Sequence, residues 1–373
     1  MKYTSETPAG IGIIGCGNIS QRYIEGMARF PEIKLLGCAD LITELAEKAA
    51  AGAGVKAYSS IEELLADPAI DIVVNITPPV AHAPVTIAAL NAGKNVYVEK
   101  PIAVTLSASE GMIEEAQSSG KLLGSAPDTF LGSAGQTARA AIDSGVIGEP
   151  IGAVAFVTHS KAETWHPNPT FLFQPGGGPA LDMGPYYITT LVNSLGPVAS
   201  VSGFSRVGAP LRTVTAPDRQ VDSIEVNTPT HAGATLKFDS GAIATLMLSF
   251  DAWDTHLPFI EIYGHRGTLS VPDPNQFDGV VSVRLHNDEE WRTLNPVVPV
   301  SGEPDTDVQM LRGAGVADLV GALNGLPHRA SADLAHHVLE VLEAIETSSQ
   351  TETVIHINSR VGRPAPCPTS EEV

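Results

Sequence analysis

Cysteine is scarce: Cys16, Cys38 and Cys367 are the only three in 373 residues, and no C-x-x-C pair occurs. That excludes a disulfide framework or a cysteine-rich zinc site as the basis of the fold. Basic side chains are also few, 22 Lys and Arg against 42 Asp and Glu, for a formal charge of -20. Such a surface repels phosphate backbones, so nucleic acid is not an expected partner and small molecules are. No apolar run approaches the roughly 20 residues that span a bilayer, so no membrane partner is expected. The opening MKYTSETPAG lacks the basic start and apolar segment of a secretory signal, and the expected location is cytoplasmic. Metal-ligand spacing is missing as well. His159, His256 and His265 are scattered, and His336 and His337 are neighbours on a helical pattern that point in different directions, so no metal is predicted.

The length suits two domains, each with its own core. From 11 to about 125, short apolar runs (IGIIG, IKLLGCA, DIVVNIT, NVYV, KLLGS) alternate with segments of helical period. This is the pattern of a parallel sheet covered by helices. Beyond 150 the runs IGAVAFVTHS, THAGATLKF, AIATLMLSF and FIEIYG read as strands of a large, mainly antiparallel, open sheet. One helix is expected over roughly 180–195, and another at ADLAHHVLEVLEAIETSS. The predicted class is therefore α/β, with a Rossmann-type parallel sheet over 1–126 and a substrate-binding and oligomerisation domain over 127–373.

The first strand runs into 15-GCGNIS-20, which fits G-x-G-x-x-G/A with serine in the third small position. Gly15 makes the tight turn, Gly17 lets a pyrophosphate approach the backbone, and the following helix N-terminus favours an anion. Asp40 ends the second strand, where a carboxylate would accept hydrogen bonds from a ribose and repel a 2'-phosphate; the lesser reading makes it a cap of the helix of LITELAEK. Leu41 follows it rather than arginine, which favours NAD over NADP. A further charge, Lys100, stands at the end of the strand NVYV, just before Pro101. It is either a site residue or a solvated strand end.

Four segments in this order, GIIGCGNIS, NITPPVAH, VEKP and GGGPALDMGPYY, resemble the glucose-fructose oxidoreductase, inositol dehydrogenase and MocA family of nicotinamide-dependent oxidoreductases. The resemblance covers nearly the whole chain. It implies a Rossmann domain followed by an open-sheet α/β domain, a homodimer or homotetramer, and hydride transfer between NAD and a sugar, cyclitol or related polyol. It also implies that Lys100 lies beside the nicotinamide and that Asp182 and Tyr186 complete the catalytic site. Many members carry histidine where this chain has Tyr186; some sugar-active and dihydrodiol-active relatives share the tyrosine. Gly15, Gly17, Asn18, Ile19, Asp40, Thr77, Pro78, His82, Glu99 and Lys100 are the expected cofactor contacts. Lys100, His166, Asp182 and Tyr186 are the expected substrate contacts.

Oxidation of a secondary alcohol needs an acceptor for the hydroxyl proton and stabilisation of the developing alkoxide. An ammonium supplies the second and favours the phenolate of a neighbouring tyrosine, so Lys100 and Tyr186 make a workable pair. Asp182 would either hold the lysine or accept a substrate hydroxyl, and as i and i+4 on one helix it and Tyr186 could face one cleft, with Pro185 complicating that helix. Tyr186 and Tyr187 could instead be core aromatics. His82 would lie near the nicotinamide or merely begin a helix. His166, in TWHPNPTF, would sit in a substrate-shaping loop, and Trp253 with His256 could line the far wall. The competing readings are a catalytically silent NAD(P)-binding regulator, a dihydrodiol-type dehydrogenase, and an enzyme that recycles a tightly held cofactor.

Overall fold

The computed structural model describes residues 1–297 and 312–368. Six strands pair in the first third of the chain: β1 (Ala9–Ile14), β2 (Ile33–Ala39), β3 (Lys56–Ala57), β4 (Ile72–Asn75), β5 (Asn95–Val98) and β6 (Leu123–Ser125). β1, β4, β5 and β6 are buried at every position, as strands covered on both faces must be. All pairings are parallel and the order is 3-2-1-4-5-6, the doubly wound arrangement. The connecting helices are α1 (Ser20–Met27), α2 (Thr43–Ala53), α3 (Ile61–Ala66), α4 (Pro79–Asn91) and α5 (Leu106–Ser119). The order reverses between β1 and β4, so the loops leaving those two strands flank a cleft at the carboxyl end of the sheet. That cleft receives the glycine turn from β1 and the Thr77 turn from β4.

Among the described residues the second sheet has nine strands, and it forms around the next block of elements. These are α6 (Ser133–Asp143), β7 (Pro150–Thr158), α7 (Ala162–Trp165), α8 (Gly178–Asp182), α9 (Gly184–Leu195), β8 (Val198–Arg206), the small hairpin strands β9 (Leu211–Thr213) and β10 (Ser223–Glu225), β11 (His231–Phe238), β12 (Ile243–Ser249), β13 (Ile260–Gly264), β14 (Gly267–Val271), β15 (Ser282–Leu285) and β16 (Arg292–Thr293). After them come α10 (Ala314–Leu323), α11 (Ala332–Thr351) and β17 (Ile355–His356). The sheet order is 16-15-14-13-7-12-11-8-17, antiparallel throughout except for the parallel pair of β7 and β12. Along β11 the even-numbered residues from Ala232 are buried and Gly233, Thr235 and Lys237 are exposed, so α9 and α11 cover one face and the other is open. Phe204 and Ile243 stand on it, 67% and 54% exposed.

The single helix expected over 180–195 is two helices, α8 and α9, meeting at Met183. Pro185 has no N–H to give to the carbonyl four residues back, so the helix restarts there with proline in its first turn. Asp182 therefore ends one helix and Tyr186 begins the next.

Two late segments return to the first sheet. α10 lies against β5, β6 and α1. The outer edge of β6 is closed by the strand-like stretch before α11, where Ser125 N donates to Ala330 O at 3.0 Å and Gly124 pairs with Ser331. α11 itself packs on β8, α9 and α5, so it touches both sheets.

Within α11, His337 is fully buried; Val198 N donates to its Nε2 at 3.0 Å and its Nδ1 faces Ser359 Oγ at 2.8 Å. Burial pushes its pKa down to about 4 from 6.5, against the pull of Glu340 and Asp239 and helped by His336 and Arg360. The unfolded chain thus takes up the proton first, so stability is full above pH 6.5 and is lost as pH falls from there towards 4. The loss is roughly 3 kcal/mol at its limit. Denaturant midpoints of the wild type and His337→Gln between pH 7 and 4 should show a smaller acid loss in the variant, and parallel curves would remove His337 as the cause.

Candidate active site

β5 delivers Glu99 and Lys100 to the cleft as the strand leaves the sheet. Glu99 is buried and fixed from two sides: Tyr23 Oη on α1 donates to its Oε1 at 2.9 Å, and the Lys100 backbone N–H donates to its Oε2 at 2.8 Å. The lysine side chain is thereby aimed across the cleft. Its Nζ donates to Asp182 O at 2.7 Å and to Asp182 Oδ1 at 2.9 Å, at the C-terminal end of α8. Burial works to lower the Lys100 pKa but is outweighed by Asp182, Tyr186 and Glu99, so the group is held above the ordinary lysine value and remains an ammonium. Of its three donors, two are used on Asp182 and one is left. Among the described residues, Asp182 Oδ2 accepts no hydrogen bond.

Tyr186, on the first turn of α9, is 4% exposed, and its ring centroid lies 5.3 Å from Lys100 Nζ. Its hydroxyl oxygen accepts from Arg312 Nη2 at 3.0 Å. Arg312 is a residue that sequence reasoning missed. It lies 126 positions from Tyr186, in no recognisable motif, and reaches the site because α10 is docked on the first sheet. That docking depends on Asp128. Its buried carboxylate Oδ2 accepts from Gly313 N at 3.2 Å and Gly315 N at 3.0 Å, anchoring the start of α10, while its Oδ1 and Glu99 Oε1 each lie 3.7 Å from Arg312 Nη1. Burial pushes the Asp128 carboxyl above the usual range, and Arg312 and the two N–H groups pull against it.

His82 sits in the first turns of α4 and is 1% exposed, with Nδ1 2.7 Å from Pro101 O and Nε2 2.8 Å from Thr77 O. Burial lowers its pKa despite both carbonyls, so the ring is neutral near pH 7, and a neutral ring carries one N–H for the two contacts. It braces the Thr77–Pro78 turn against the turn after Lys100. Asn75 shapes the same turn, with its Oδ1 accepting from Thr77 Oγ1 at 2.7 Å. Ile19, Thr77, Pro78, His82, Glu99, Lys100, Asp182, Tyr186 and Arg312 all line one cavity of about 610 Å³. Its remaining wall includes Val80, Val104, Phe171, Leu172 and Leu181.

The glycine turn lies at the end of β1. Gly15 has φ +100°, and a Cβ there would stand 2.8 Å from the Ile76 carbonyl group, so only glycine fits. Gly17 differs: a Cβ there would meet nothing within 4 Å, so packing within the chain does not require glycine and the space lies open beside the exposed Asn18. Ser20, in the third small position, is buried because its hydroxyl donates to Gly17 O at 2.7 Å. Asp40 Oδ2 accepts from Cys16 N at 2.6 Å and Oδ1 from Ile42 N at 2.8 Å, so the carboxylate borders the glycine turn while starting the chain towards α2. An open glycine ahead of a helix and a bordering carboxylate fit the pyrophosphate and ribose of a dinucleotide.

His166 is not brought to the cavity. Its Nδ1 accepts from Asn168 N at 3.0 Å and its ring meets Trp165 and Phe171 edge-on, each at 5.4 Å, so it lies behind Phe171. Trp253 lines a separate cavity of about 420 Å³ with Arg212, Glu163 and Asp251, so it forms no far wall here. Tyr187 is a core aromatic, with its hydroxyl 3.4 Å from Asp273 Oδ1.

Residues 9–126 match the family description "Oxidoreductase family, NAD-binding Rossmann fold", and residues 136–270 match "GFO/IDH/MocA C-terminal domain". The chain belongs to the GFO/IDH/MocA oxidoreductase family. It is 34% identical to 1,5-anhydro-D-fructose reductase of Ensifer adhaerens over 48% of this chain, a match that spans only 54% of that reductase. It is 26% identical to scyllo-inositol 2-dehydrogenase (NAD(+)) of Bacillus subtilis over 69% of this chain and 72% of that protein. An NAD binding oxidoreductase from Klebsiella pneumoniae superposes with a TM-score of 0.81 at 25% identity, covering 95% of this chain and all of that one. For a member of this family, the two glycines make different demands on the chain. Gly17→Ala should leave thermal stability unchanged and weaken NADH binding about tenfold or more, whereas Gly15→Ala should cost stability outright. Melting temperature and nucleotide fluorescence titration read the two effects separately; unchanged NADH affinity in Gly17→Ala would move the pyrophosphate away from this turn.

Proposed function

We propose that the protein is an NAD-dependent dehydrogenase or reductase that interconverts a secondary alcohol and a ketone on a sugar, cyclitol or related polyol. The observation that carries this reading is the Lys100 ammonium, pinned by Asp182 with one donor to spare, on the same cavity wall as the Tyr186 hydroxyl. Gly15, Gly17, Asn18, Ile19, Asp40, Thr77 and Pro78 would hold the dinucleotide. When bound, the cofactor supplies the hydride acceptor or donor. The remaining N–H of Lys100 meets the substrate oxygen and stabilises the charge that develops there. Tyr186 Oη takes the hydroxyl proton in oxidation and returns it in reduction. Asp182 serves both roles weighed from the sequence: Oδ1 fixes the lysine and Oδ2 accepts a neighbouring substrate hydroxyl, which suits a polyol. His82 positions the two turns that border the cofactor, and Asp40 disfavours a 2'-phosphate. The expected compartment is cytoplasmic. The open face of the second sheet, with Phe204 and Ile243 exposed, supports a homo-oligomer, which light scattering at micromolar concentration reads directly.

The apolar wall of Val80, Val104, Phe171, Leu172 and Leu181 favours a second substrate class, a dihydrodiol, whose ring would lie on that wall with its hydroxyls towards Lys100. Absorbance of the reduced nucleotide over a panel of sugars, inositols, sugar acids and dihydrodiols, with NAD and with NADP, separates the two classes. Turnover with NAD should exceed that with NADP, and nucleotide binding with no turnover on any member would point to a silent regulator instead. On whichever substrate is active, Lys100→Met should lower kcat roughly 10²-fold or more while nucleotide affinity stays near wild type. Normal turnover in that variant would reduce Lys100 to a strand-end ion pair and end this reading.

A further inference from the structure

Arg312 makes a hydrogen bond whose direction is fixed by chemistry. A guanidinium only donates, so at the 3.0 Å contact Tyr186 Oη is the acceptor and its own proton must point elsewhere. No other described side chain or backbone group bonds that oxygen, and Tyr186 lines the cavity, so the proton is offered to the cavity. Lys100, with its Nζ 5.3 Å from the ring centroid and two donors spent on Asp182, makes no such contact with the hydroxyl.

The compensation of the arginine charge points the same way. Arg312 is 8% exposed, yet among the described residues its two carboxylate neighbours are both at 3.7 Å, beyond hydrogen-bond reach, and Arg312 Nη1 and Asp128 Oδ1 have no hydrogen-bond partner. Its Nη2 bond is spent on a phenol that is formally neutral. An anionic oxygen at that position would turn a neutral contact into a charge-assisted one and complete the pairing of a buried cation.

We propose that Arg312 is a positioning residue that sets the direction in which Tyr186 gives and takes its proton and that stabilises the phenolate form. This rests on the reading of Tyr186 as the proton-handling group. In oxidation the substrate O–H bond breaks as the Tyr186 O–H bond forms, and in reduction the same proton returns. Although Arg312 lines the same cavity, in this role it acts through Tyr186, from the other side of the phenol oxygen.

The test follows the Tyr186 Cζ resonance in nucleotide-free protein labelled with [13Cζ]tyrosine, assigned with Tyr186→Phe. Arg312→Met should move the titration midpoint of that resonance to higher pH by about one unit or more, and Arg312→Lys by less, the scale set by one nearby charge. The pH at which kcat for alcohol oxidation levels off should rise in the same order. In the Tyr186→Phe background Arg312→Met should cost under about threefold in kcat, against about 10²-fold in the wild type, because the two act as one unit. Should Arg312→Met fail to fold around the unpaired Asp128, the Arg312→Met/Asp128→Asn double variant gives the same titration. An unmoved midpoint overturns the role of Arg312 even where Tyr186→Phe abolishes turnover. Retained turnover in Tyr186→Phe instead removes Tyr186 from the reaction, and this role with it.

Discussion

Five charged side chains, Glu99, Lys100, Asp128, Asp182 and Arg312, are crowded at the carboxyl end of β5, and burial obliges each to have a partner. The least exposed, Asp128, has no exposed side-chain surface, and the most exposed, Asp182, has 27%. Removing one partner from such a cluster leaves another charge uncompensated, at a cost of several kcal/mol. The partners come from separate elements: Tyr23 on α1, the strand end of β5, Asp128 after β6, Asp182 on α8, Tyr186 on α9 and Arg312 just before α10. Satisfying the charges therefore fixes the relative positions of the two sheets at the place where the cleft lies.

The same arrangement separates the roles of the cleft. Polar groups that remain free after pairing, one N–H of Lys100, Oδ2 of Asp182 and the proton of Tyr186, are the ones left to face a ligand. Arg312 Nη1 and Asp128 Oδ1 also lack hydrogen-bond partners among the described residues, but both atoms are buried. Apolar side chains from the segment around Phe171 and from α8 complete the wall around the few unpaired polar groups.

Much of the first sheet was legible because its strands appear as short apolar runs: β2 and β5 fall on the expected IKLLGCA and NVYV residue for residue. β3 escaped because two residues carry no period. α6, SAGQTARAAID, also escaped, since Ile142 is its only large apolar residue although most of its residues are buried. The split at Met183 was signalled by Pro185, whose missing N–H could not tell a kink from a break. In the site, Gly15, Lys100, Asp182 and Tyr186 stood in ordered motifs. Arg312 and Asp128 did not, because their meeting is decided by the docking of α10, a tertiary event that no local pattern encodes. His166 illustrates the opposite error: an aromatic, proline-rich loop suggested a substrate contact, and the loop presents Phe171 to the cavity instead.

The return of α10 and of residues 330–331 to the first sheet has a consequence for how the protein is made. The strands β1 to β6 leave the ribosome well before the helix that covers β5 and β6 and the segment that closes the edge of β6. At typical rates of synthesis the interval is on the order of ten seconds or more. Throughout it the nascent dinucleotide sheet has an open edge and an uncovered apolar flank, and it is in this window that chaperones would meet the chain.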